Sequence, residues 1–165
     1  IVMTPKSLLR HPKATSPVAE LTTGGFRHVI ADPTVDDAST ITRLVLCSGK
    51  VYYDIQGHPR REEASHVAVG RMELLYPFPI VALTELLEHY PNLREVVWAQ
   101  EEPRNMGGLT FVGPRLRSVV PRKVPLSYAA RPERASPAEG KASNHSKNQE
   151  AVVMEALGFE IETTE

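Results

Sequence analysis

The chain has 165 residues, 41% of them hydrophobic, which is enough for one core-forming domain with a strap beside it. Nineteen basic residues stand against 20 acidic ones, a balance that excludes recruitment to nucleic acid or an anionic membrane by bulk charge. The single cysteine, Cys47, excludes an internal disulfide, and no apolar run approaches the roughly 20 residues that span a bilayer, so a reducing, soluble compartment is expected.

In chain order, Ile1-Val2-Met3 is an apolar, β-favouring run with no turn or cap before it, and Thr4-Pro5-Lys6 interrupts it too early for a secretory signal. It reads as the tail of a strand whose partners are missing, and the chain as a piece of a longer protein. From Thr4 to about Pro33, three prolines precede a Gly24-Gly25 pair and periodicity is weak. Leu8, Leu9, Leu21 and Phe26 give this stretch apolar teeth, which suits an ordered strap over a neighbouring domain; a flexible linker is the competing reading.

Regular structure is expected from Arg43. Leu44 to Cys47 forms a buried strand that turns at Ser48-Gly49-Lys50 into a helix holding Val51, Tyr52, Tyr53 and Ile55, stopped by Gly57 and Pro59. His66 to Met72 forms a second strand. After Tyr76-Pro77-Phe78-Pro79, residues Ile80, Leu83, Leu86, Leu87 and Tyr90 fall on one helical face. A third strand covers Glu95 to Gln100, and a weaker helix runs through Phe111, Leu116 and Val119. A fourth apolar stretch spans Val124 to Ala129. Ser146, three before Gln149, has capping-box spacing and is expected to open a last helix carrying Val152, Val153, Ala156 and Leu157 before Gly158. This alternation predicts a three-layer αβα domain with a mostly parallel sheet.

Ligands and partners of such a sheet meet the carboxyl ends of its strands. Ser48, Gly49 and Lys50 offer a helix start beside an ammonium, a weak anion-site candidate, though without Walker or dinucleotide glycine spacing; Ser48 as a plain cap with a solvated Lys50 is the alternative. Glu101 and Glu102 leave a strand in different directions, so they are interface candidates or caps for the next helix rather than an acid/base pair. Arg71 and Glu73 are further interface candidates. The six histidines show no zinc spacing, and His145 reads as a surface or capping residue. No nucleophile has a visible base, and no Gly-x-Ser-x-Gly elbow occurs. The residues therefore nominate no catalytic, cofactor-binding or metal site.

Several runs in order nevertheless carry a likeness. They are Val2-Met3-Thr4-Pro5-Lys6-Ser7-Leu8-Leu9-Arg10-His11-Pro12, Cys47-Ser48-Gly49-Lys50-Val51-Tyr52-Tyr53, Arg71-Met72-Glu73-Leu74-Leu75-Tyr76-Pro77-Phe78-Pro79, and Trp98-Ala99-Gln100-Glu101-Glu102-Pro103-Arg104-Asn105-Met106-Gly107. Arg131-Pro132, Ser136-Pro137-Ala138, His145 and Gln149 extend it. Together these runs resemble the C-terminal end of the decarboxylating components of 2-oxoglutarate dehydrogenase.

That resemblance implies a transketolase C-terminal type of domain over residues 43–165, with residues 1–42 as the end of a pyrimidine-type domain and a linker strap. It implies a parent enzyme of the tricarboxylic acid cycle, in a bacterial cytoplasm or, in a eukaryote, the mitochondrial matrix. The parent would decarboxylate 2-oxoglutarate on thiamine diphosphate with magnesium and pass the succinyl group to a dihydrolipoyl succinyltransferase. The family's Gly-Asp-Gly motif is absent, so no catalytic residue carries over, and this piece alone is expected to be inactive. Its implied partners are its own upstream domains and the second subunit of a homodimer. Leu74, Ile80, Val81 and Ala82 stand where acetyl-CoA-regulated relatives use polar and basic residues, which argues against that regulation here. A nucleotide or acyl-CoA binding module built on Ser48-Gly49-Lys50 is the rival expectation.

Overall fold

The computed structural model describes residue 1 and residues 3–160. Five strands form one sheet: β1 (Val29–Ile30), β2 (Arg43–Cys47), β3 (Val67–Met72), β4 (Glu95–Pro103) and β5 (Leu126–Arg131), in the order β1-β3-β2-β4-β5. β2, β3, β4 and β5 are parallel, and only β1 runs antiparallel, Val29 facing Met72 and Ile30 facing Arg71. The expected fold class is observed.

The strands alternate along their length. Even-numbered Leu44, Leu46, Ala68, Val96 and Trp98 pack with α3 (Ile80–His89) and α4 (Leu109–Val119). Odd-numbered Val45, Cys47, Val67, Val69, Val97 and Ala99 pack with α2 (Val51–Gln56) and α5 (Ala142–Leu157). Because both faces are covered, the strands read as continuous apolar runs rather than polar-apolar alternation. Gly70 leaves room where Leu46 and Leu86 approach, since a Cβ there would lie 3.2 Å from each.

Several element bounds depart from the sequence reading: β4 runs on to Pro103 and β5 spans Leu126–Arg131. α5 begins at Ala142, not at Ser146, whose hydroxyl instead donates to the Ala142 carbonyl within the helix at 3.2 Å. The polar 142–145 turn has no apolar period, so the hydrophobic pattern marks only the part of the helix that reaches the core. The strand tail expected over Ile1-Val2-Met3 falls partly on Val2, which lies outside the described residues. Ile1 and Met3 lie in no strand, and both are exposed.

The strap before β2 holds a 3₁₀ turn (Lys6–Arg10), a single helical turn α1 (Val18–Thr22) and β1. Its inner end is fastened at Asp32, whose side chain is fully buried. Asp32 Oδ2 accepts from Arg61 Nη2 at 3.0 Å and from the Val69 amide at 2.8 Å, while Oδ1 accepts from Thr34. At the other end of the chain, Arg43 donates to the last carbonyls of α5, at Glu155 (2.7 Å) and Ala156 (3.0 Å), and pairs with Glu95. A cation at that terminus complements the helix dipole, and Gly158 at φ 84 supplies the left-handed stop.

Candidate functional site

From β2 the chain passes through α2 to β3 on one side; from β4 it passes through α4 to β5 on the other. The connections therefore diverge between the carboxyl ends of neighbouring β2 and β4, which is where a doubly wound sheet opens its ligand crevice. The turn Ser48-Gly49-Lys50 and the end of β4, Glu101-Glu102-Pro103, meet there.

Side chains of the chain itself bridge the crevice. Lys50 Nζ pairs with Asp54 one helical turn on and lies 2.8 Å from Glu101 Oε1. Gln149 of α5 donates to the same two carboxylates, at 2.8 Å to Asp54 and 3.0 Å to Glu101. Its own oxygen accepts from Arg131 Nη2 at 2.9 Å, and the same nitrogen contacts His145 Nδ1 at 3.2 Å. Arg131 is a buried cation, with Glu139 3.8 Å from its Nη1. Burial opposes the charge on Lys50, yet the hydrogen bonds to Asp54 and Glu101 outweigh it and raise the ammonium above its ordinary range. This is a polar bridge running from β2 through α5 to β5.

One ammonium faces two carboxylates, so Lys50 is not free to pair with an anion. Ser48 and Gly49 are exposed, α2 has only six residues, and its N-cap position is Lys50 without a side-chain cap bond. Lys50 is thus neither the solvated charge nor the open phosphate ligand that the sequence offered as alternatives.

The two glutamates diverge as expected. Glu101 turns in toward Lys50, whereas Glu102 is exposed, its side chain against Gly107 at φ 66. Neither caps α4. Gln100 takes that role, accepting from the Leu109 amide (2.9 Å) and from Trp98 Nε1 (3.1 Å) while donating to the carbonyls of Pro103 (3.0 Å) and Met106 (2.8 Å). Arg71 lies 3.4 Å from Glu73, donates to the Tyr53 hydroxyl at 3.3 Å and sits over the Tyr52 ring. Of the four interface candidates, Glu73 and Glu102 present exposed side chains, while Arg71 and Glu101 are engaged within the chain. Sequence reasoning missed the structural weight of Gln100, Gln149 and Arg131. The available signal was a polar residue ending an apolar strand, which demands buried partners.

Among the described residues, no group of three or more His, Cys, Asp or Glu is placed to hold a metal ion, and no helix is long and apolar enough to cross a membrane.

The model of the family described as 2-oxoglutarate dehydrogenase C-terminal matches residues 15–157. The chain belongs to that family. It is 46% identical over 160 residues to the 2-oxoglutarate dehydrogenase E1 component of Shouchella clausii, and 44% identical over 160 residues to that of Bacillus subtilis. In both comparisons 95% of this chain is covered but only 17% of the relative, so the chain spans about a sixth of the curated relatives' length. Among solved structures, it is similar to a chain titled split gene transketolase, inactive beta4 tetramer, with TM-score 0.48 and 20% identity, covering 70% of this chain and 38% of that one.

Proposed function

We propose that this chain forms the C-terminal portion of a bacterial 2-oxoglutarate dehydrogenase E1 component, serving assembly and dimerisation, while thiamine-diphosphate- and magnesium-dependent decarboxylation takes place in upstream domains. The parent would act in the tricarboxylic acid cycle in the cytoplasm and hand its succinyl group to a dihydrolipoyl succinyltransferase. The observation that carries this reading is the contrast in coverage: identity of 46% extends over 95% of this chain yet 17% of the relative. The surface supports it. Leu9, Val18, Leu21 and Phe26 on the strap, with Tyr76, Ile80 and Val81 before and at the start of α3, are exposed large apolar side chains of the kind that seat against other domains.

Calorimetry of the 165-residue chain with thiamine diphosphate and magnesium is expected to give no binding heat, and tight binding would overturn the domain assignment. A parent chain shortened to end before this region is expected to lose its dimer and its turnover of 2-oxoglutarate. A shortened parent that keeps both would overturn the assembly role.

A further inference from the structure

Charge is segregated along the chain. No acidic residue stands between Glu102 and Glu133, a stretch that carries Arg104, Arg115, Arg117, Arg122, Lys123 and Arg131, so all 20 Asp and Glu residues lie outside it. The fold pairs two of these cations, Arg131 beside Glu139 and Arg104 beside Glu155. Arg115, Arg117, Arg122 and Lys123 are exposed, and none of them joins an ion pair among the described residues. α4 buries Leu109, Val112, Gly113 and Leu116, which puts Arg115 and Arg117 on its solvent side, and Arg122 and Lys123 follow in the turn to β5.

Neutral partners hold two of the four cations in place. Arg115 lies 3.6 Å from the centre of the Phe111 ring and its Nη1 donates to the Phe111 carbonyl at 2.8 Å, while Arg117 Nη2 donates to the Tyr128 hydroxyl at 3.3 Å. A guanidinium carries five N–H donors, so each keeps most of them for a carboxylate, whose two oxygens match its planar fork. Beside Arg117 opens a cleft of about 440 Å³ lined by Leu109, Gly113, Pro114 and Tyr128. We propose that this face of α4 docks an acidic protein segment, with carboxylates on Arg115, Arg117, Arg122 and Lys123 and an apolar side chain in the cleft. A protein suits the face better than a nucleic acid. The Phe111 ring that could stack a base already holds Arg115, and a long polyanion would run off the patch onto a chain whose charge elsewhere is net negative. A contact carried by exposed charges weakens with salt, which fits a partner that binds and leaves; the apolar strap and the Tyr76, Ile80 and Val81 surface fit permanent neighbours.

Fluorescence anisotropy tests this, with the 165-residue chain titrated at low salt into a labelled peptide of glutamate pairs alternating with leucine. The wild type is expected to bind, and Arg115→Ala with Arg117→Ala to weaken binding by about tenfold or more. Arg122→Ala with Lys123→Ala, in the turn after α4, is expected to weaken it as well and decides the matter should the first variant fail to fold. Taking the same charge from the exposed strap residues, Lys6→Ala with Arg10→Ala, is expected to leave the affinity unchanged. A peptide with serine for leucine is expected to bind more weakly. No binding by the wild type, an equal loss from the strap variant, or a serine peptide that binds as well overturns the proposal. So does tighter binding of oligothymidylate or of phosphatidylglycerol vesicles than of the peptide.

Discussion

Asp32 and Arg61 meet 3.0 Å apart, the carboxylate fully buried and the guanidinium nearly so, and this pair joins the strap to the edge of the sheet. Arg61 also donates to the Gln56 side chain and to the carbonyls of Ala64 and Val67, so both partners are held in a complete network. Removing one partner leaves the other charge uncompensated in the interior. Arg61→Ala or Asp32→Ala is therefore expected to cost about 3–5 kcal/mol in denaturant unfolding. Limited proteolysis of these variants is expected to cut between residues 14 and 40 under conditions that leave the wild type intact. Loss of stability below about 1 kcal/mol would mean that the pair is not the fastening point.

Gln100 is the hub at the end of β4. Its amide satisfies two donors and two carbonyls at hydrogen-bond distance from inside the protein, with Glu102 O a longer third acceptor at 3.3 Å. Gln100→Ala leaves those groups without water or a partner, at a cost of about 1–3 kcal/mol for each buried group left unpaired. Since Trp98 is the only tryptophan and donates to Gln100, its fluorescence reports the loss directly. The variant is expected to unfold at lower denaturant and to show a shifted native emission maximum. Gln100→Glu, which keeps the acceptor oxygens but not the two donors, should fall between.

The strands were the readable part of this chain because burial on both faces makes each an uninterrupted apolar run, bounded by Gly49, Gly57, Pro79 and Pro91. The end of β4 and the start of α5 were not readable. Glu101 through Pro103 continues as strand on hydrogen bonds that only the folded loop supplies, and the 142–145 turn, Ala-Ser-Asn-His, carries no apolar period. The carboxyl ends of the strands could be read from topology, but what gathers there depends on α5. Gln149 stands 99 positions after Lys50, and no local spacing announces that it bridges Asp54 and Glu101. A lysine after a strand reads the same whether its partners are a ligand or two carboxylates of the chain.

Cys47 lies at the end of β2, fully buried, with its thiol against the Gly70 carbonyl at 3.7 Å. Burial pushes the thiol well above its ordinary range, so thiolate is scarce at neutral pH. An aromatic disulfide reagent is expected to label it only as fast as the protein unfolds, with full labelling in denaturant. Complete labelling of the native chain within the mixing time would show that the β2–α2 turn opens on its own.

Glu155 offers a test of sign. Burial raises its carboxyl above the ordinary 4.5, against Arg104, the Ala130 amide and Arg43, which act to lower it. A carboxyl raised in the folded state contributes no penalty below its unfolded value, because both states are then protonated. As pH climbs past 4.5 the unfolded chain ionises first, and folding stability falls until the folded carboxyl ionises too; above that point the penalty is constant. Glu155→Gln removes the titration while keeping an acceptor for the Ala130 amide. Its melting temperature relative to wild type is expected to rise as pH climbs past 4.5 and then to level off. A difference that shrinks over that interval would mean that Arg104 and the amide, not burial, dominate the site.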